Sequence, residues 1–143
     1  MSFYVNIKYR VRRNEAYQAL MQKITSGNKI FNSYRDVLVI SAVIGYCNKA
    51  YIPFEKTADP VLMQFFSETD FDLMDLIAYA HAKEQAILKE DKKYEIFESY
   101  ANGGFPILMK LLEIDENTVI DSAMQESILV KLASLLISNQ IIV

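Results

Sequence analysis

Apolar and polar positions alternate with a period of two at the start of the chain. Phe3, Val5, Ile7, Tyr9 and Val11 fall on one side, and Tyr4, Asn6, Lys8, Arg10 and Arg12 on the other. This pattern predicts a half-buried strand within residues 1–12, with a basic outer face. A single strand leaves a row of backbone donors and acceptors that needs a partner. The sequence offers two: the apolar terminus QIIV at 140–143, or the same strand of a second subunit in a homodimer.

From residue 14 the period becomes helical. Asn14 is placed to cap a helix with Tyr17, Leu20, Met21 and Ile24 on one stripe, ending near Gly27. Ser33 and Asp36 form a capping-box-like opening for YRDVLVISAVIGY, whose nearly continuous apolar surface predicts a central, buried helix. Asp59-Pro60 opens a short helix through Phe66. Thr69 and Asp72 open another, with an inner stripe of Leu73, Leu76, Ile77, Ala80, Ile87 and Leu88. Further helices are expected over 92–101, 106–112 and 118–137. The fold class that follows is mainly α: one domain, a bundle of about six or seven helices with a short N-terminal strand. Residues 14–138 form the helical core and 139–143 an apolar tail.

Composition narrows the class. At 143 residues, 52% apolar and 23% charged, the chain suits one soluble globular domain. Charges interrupt every apolar run before it reaches membrane-spanning length, and the first residues lack the apolar core of a signal peptide. The lone Cys47 leaves no internal disulfide and is compatible with the cytoplasm. The net charge of −3 conceals a division: residues 1–35 carry Lys8, Arg10, Arg12, Arg13, Lys23, Lys29 and Arg35 against Glu15 alone. That asymmetry favours either a solvated face or a polyanionic partner such as duplex DNA, with Lys8, Arg10, Arg12 and Arg13 as the contact.

Candidate chemistry is sparse. One histidine, His81, and one cysteine cannot build a Cys/His zinc site in one chain, and no cofactor motif appears. Asp70, Asp72 and Asp75 offer carboxylates for a cation in a metal-dependent nuclease, but they also fit the first turns of a helix, where acidic side chains favour the dipole. Glu84 lies three residues after His81 and is within reach to orient its ring. The four glycines each fall where a periodic helix stops. Gly103-Gly104 follows a helix and precedes FPIL, with no lysine and hydroxyl residue to complete a phosphate loop, so the pair is expected to be a corner between two helices. The aromatic residues at helical spacing, Phe65, Phe66, Phe71, Phe97 and Tyr100 among them, are expected in the core. The order strand, helix, helix with arginines on the strand also matches a dimeric ribbon–helix–helix repressor.

Two stretches carry a family resemblance. SYRDVLVISAVIGYCNKAYIPF (33–54) and IFESYANGGFPIL (96–108) resemble the DNA phosphorothioation-associated protein 4 family, small bacterial proteins encoded beside the Dnd genes for sulfur modification of the DNA backbone and its linked restriction. The resemblance implies a non-enzymatic accessory protein of an anti-phage defence system, binding DNA or Dnd proteins. It assigns no catalytic residue, and the basic N-terminal strand and the C-terminal tail lie outside it.

Overall fold

The computed structural model describes residues 4–27 and 30–137. Among them are five α-helices, α1 (Gln18–Thr25), α2 (Tyr34–Cys47), α3 (Glu68–Ala82), α4 (Lys92–Leu112) and α5 (Ser122–Ile137). A two-stranded sheet pairs β1 (Arg10–Val11) with β2 (Val61–Leu62). Short 3-10 turns occupy Glu15–Tyr17, Met63–Phe65 and Gln85–Lys89.

The mainly helical class holds, with fewer helices than expected. Residues 59–66 form β2 and a turn, and the stretches 92–101 and 106–112 join into one 21-residue helix. The Asp59-Pro60 signal misled because Pro60 also suits the residue before an edge strand, and β1 needed a partner. That partner is within the chain: Arg10 faces Leu62 and Val11 faces Val61, antiparallel. The QIIV terminus lies outside the described residues.

The N-terminal strand is also shorter than the alternation suggests. Asn6 accepts the Lys8 N–H on its side chain and the Tyr9 N–H on its carbonyl, forming a turn before β1. That turn leaves Val5 and Ile7 exposed, and alternation survives only around Val11, which is fully buried.

The helix starts follow local chemistry. Asn14 accepts from the Ala16 N–H and Ser33 from the Asp36 N–H, as their positions suggest. For α3 the cap is Ser67 rather than Thr69: Ser67 and Asp70 form a reciprocal capping box, which shifts the helix two residues earlier. Its inner face is therefore Met74, Ile77 and Ala78, while Leu76 is 67% exposed, and the helix stops at Ala82 instead of running on to Leu88. Phe65, expected in the core, is likewise exposed, whereas Phe66 and Phe97 are buried.

The centre of the molecule is α4, not α2 alone. Its Tyr94, Ile96, Phe97, Ala101, Phe105 and Leu108 are all buried, against Val37, Leu38, Ala42 and Ile44 of α2 and Met74, Ile77 and Ala78 of α3. The expected corner at Gly103-Gly104 does not exist, because both glycines lie inside α4. The two helix backbones approach so closely there that side chains have no room. A Cβ on Gly104 would stand 1.8 Å from the Ser41 carbonyl oxygen, and one on Gly45 would stand 2.0 Å from that of Tyr100. A Cβ on Gly103 would stand 1.8 Å from the Ala50 carbonyl oxygen. Gly45 is thus internal to α2 as well, and only Gly27, at φ +61°, closes a helix in the expected way.

Asn102 completes the junction. Its side-chain amide donates to the Ile52 carbonyl at 2.7 Å and its oxygen accepts from Asn14 at 2.9 Å, while the Ile52 N–H bonds to Ser99. One buried side chain thereby holds both the N-terminal segment and the 48–60 connection on α4.

In an ordinary exposed helix Gly→Ala stabilises by about 1 kcal/mol. Here Gly104→Ala is expected to destabilise by about 3 kcal/mol or more, because a methyl group at this crossing forces the helices apart. Ser41→Ala on the facing turn is the contrast. The Ser41 hydroxyl is buried without a hydrogen-bond partner among the described residues, so its removal is expected to leave stability unchanged or raise it by up to about 1 kcal/mol. Urea unfolding of the two variants checks both signs.

Candidate nucleic-acid interface

The four basic residues singled out in the sequence are divided by the fold. Residues 4–13 run along the first half of α4. Tyr4 donates to Asp91 at 3.0 Å, the Asn6 side chain donates to the same carboxylate at 2.9 Å, and the Asn6 N–H bonds to Tyr94. Lys93, on α4 and 1% exposed, is held by the Tyr4 and Leu88 carbonyls and by an ion pair with Asp75 at 2.8 Å.

The key acid beneath this segment is Glu98. Its side chain is wholly buried and accepts four hydrogen bonds. One oxygen takes the Tyr9 hydroxyl at 2.8 Å and the Arg12 N–H at 2.7 Å; the other takes Arg12 Nε and Nη2 at 2.9 and 2.7 Å. Burial pushes the Glu98 carboxyl up, against the opposing pull of the Arg12 guanidinium. The sequence does flag this residue in one way: it is an acid inside the apolar run IFESY, which a buried position tolerates only with a cationic or hydrogen-bonding partner.

Arg12 is therefore half exposed with its charge already matched. Arg13 is withdrawn altogether. Its side chain is 1% exposed, donates to the Asp59 carbonyl and to Gln18, and lies 4.0 Å over the Tyr34 ring. Burial lowers its pKa, and it acts inside the fold, not on a surface. Lys8 and Arg10 remain exposed, with no side-chain ion pair among the described residues. The candidate contact thus contracts to two available cations with Arg12 at their flank.

The acid trio is dispersed. Asp70 belongs to the α3 capping box and also receives Arg35 at 2.7 and 2.6 Å, and Asp75 is paired with Lys93. Among the described residues no group of three histidine, cysteine, aspartate or glutamate side chains is placed to hold a metal ion. Asp72 lines a surface cleft of about 570 Å³ between α3 and the 85–89 turn, together with Leu76, Tyr79 and Leu88. His81 is oriented by Tyr100, not by Glu84: its Nδ1 lies 2.7 Å from the Tyr100 hydroxyl, and α3 has already ended before Glu84.

Tyr9 links this network to pH. Burial, reinforced by the neighbouring Glu98 charge, holds its hydroxyl proton well above the ordinary tyrosine value near 10. The folded chain keeps this proton where the unfolded chain releases it. The resulting stabilisation is complete below pH 10 and is lost as pH rises above it. Tyr9→Phe is expected to cost about 1.5–3 kcal/mol at pH 7, by removing a hydrogen bond to a charged acceptor. It is also expected to flatten the fall in stability above pH 10, and urea titrations at pH 7 and in the alkaline range check both effects.

No helix among the described residues is long and apolar enough to cross a membrane. The family described as DNA sulphur modification system-associated protein 4 matches residues 10–133. No curated protein and no solved structure matches the chain.

Proposed function

Since the chain belongs to the DNA sulphur modification system-associated protein 4 family, we propose that it is a non-enzymatic accessory protein of that system, acting in the linked restriction that defends against phage. It works by binding, and its contact is duplex DNA through Lys8 and Arg10, with Arg12 flanking. The observation that carries this reading is that Lys8 and Arg10 are exposed on a segment which many hydrogen bonds fix to α4. Cations presented on a fixed backbone lose little freedom when they meet phosphates.

A second reading comes from the same segment. Ile7, 64% exposed, and Val5 stand beside Lys8, an apolar and basic combination that suits an acidic face of another Dnd protein. Against the ribbon–helix–helix alternative stand the pairing of β1 with β2 of its own chain and the Arg12 N–H taken by Glu98.

Lys8→Gln with Arg10→Gln is expected to weaken duplex binding and to reduce the slope of log affinity against log salt by about 2. Fold stability should not change. Gel retardation and fluorescence anisotropy on phosphorothioated and unmodified duplexes read this directly. Absence of binding to either duplex at low salt overturns the DNA contact and leaves the protein-partner reading.

A further inference from the structure

Four aromatic side chains from separate segments converge on the side of α4 that carries Tyr100. The Tyr51 ring stacks on His81, with centroids 4.4 Å apart and planes 20° from parallel. Tyr100 stands edge-on to Tyr51, His81 and Tyr46, at 5.0, 5.4 and 5.5 Å. Tyr100 is the buried base of this group, whereas His81 and Tyr46 are exposed. With Nδ1 engaged by Tyr100, the His81 ring is fixed, and Nε2 is the nitrogen left for a ligand.

Two lysines lie close to these residues in the sequence. Lys49 lies in the turn between Tyr46 and Tyr51, and Lys83 follows His81 by two residues. Both are exposed, and neither side chain has a hydrogen bond or ion pair among the described residues. Each closes its helix with a positive φ, +56° and +58°, as Glu113 does at the end of α4. These backbone angles favour glycine or asparagine over lysine, so the charge can be removed without disturbing the turn.

A cluster serving packing alone has no need of an exposed histidine, nor do the adjoining turns need two exposed lysines without a partner among the described residues. Rigid exposed rings beside positive charge are what a nucleotide unit requires: a π-face for the base and cations for the phosphate. We infer that Tyr46, Tyr51 and His81, with Lys49 and Lys83, form a binding site for a nucleotide unit, its base stacked on the exposed rings and its phosphate on the two lysines and His81 Nε2. An unpaired DNA strand and a free mononucleotide both present this chemistry. The site uses neither Lys8 nor Arg10 and does not rest on the duplex contact.

His81 is the one histidine in the chain, so its imidazole resonances report this site without ambiguity. The full chain is titrated with a short thymidine oligonucleotide, with thymidine monophosphate and with inorganic phosphate. The oligonucleotide is expected to shift the His81 resonances saturably. Lys49→Asn with Lys83→Asn is expected to raise Kd about tenfold with Tm unchanged or higher, and Lys8→Gln with Arg10→Gln is expected to leave the shift intact. Equal affinity for the monophosphate identifies a free nucleotide as the ligand, and much tighter oligonucleotide binding identifies an unpaired strand. The inference is overturned if no ligand moves His81, if phosphate alone reproduces the shift, or if the double lysine variant binds as tightly as the parent chain.

Discussion

The contact on which this structure depends is backbone against backbone, where α2 crosses α4. Gly45, Gly103 and Gly104 let carbonyl oxygens of Ser41, Tyr100 and Ala50 come within the space any Cβ would occupy. Each glycine is an unfavourable choice inside a helix, by about 1 kcal/mol against alanine. The compensation is tertiary. Close approach brings the buried Phe97, Phe105 and Leu108 of α4 and Val37, Leu38 and Ala42 of α2 into one apolar core, from which water is excluded.

The remaining elements add apolar side chains to the same core and are also tied to α4 by ions and amides. Glu98 holds Tyr9 and Arg12, Lys93 holds Tyr4 and Asp75, and Asn102 holds Asn14 and Ile52. Buried charges of this kind add little net stability when paired, but losing one partner typically costs ~3–5 kcal/mol. They act instead as registration. The basic N-terminal segment can lie along α4 in one position only, and that position sends Arg13 inward while Lys8 and Arg10 face solvent. The exposed charge of the molecule is thus a consequence of which cations the core has already claimed.

Much of this was legible in the residues, and the failures have definite causes. The caps at Asn14 and Ser33 and the apolar stripes of α1 and α2 are local signals, and local hydrogen bonds satisfied them. The Gly-Gly-Phe-Pro sequence is also a local signal, and it pointed to a break. It was overridden because the reason for those glycines lies some 60 residues away, at Ser41 and Gly45, where no window along the chain can see it. The same holds for Arg13: beside Arg12 it reads as one more surface cation, and only the placement of Gln18, Asp59 and Tyr34 shows otherwise. The resemblance stretch 96–108 fared differently. It carries Glu98, Tyr100, Asn102, Gly103 and Gly104, each a fixed point of the architecture, so a family likeness in core positions marked the hub of the fold.

The continuity of α4 through its glycines is the claim to test, and amide hydrogen exchange tests it most directly. If the crossing holds the fold together, the amides of Gly104 and Phe105 exchange as slowly as that of Phe97, at the rate set by global unfolding. Exchange at Gly104 and Phe105 orders of magnitude faster than at Phe97 would show a helix that opens at residues 102–106, and would contradict the account.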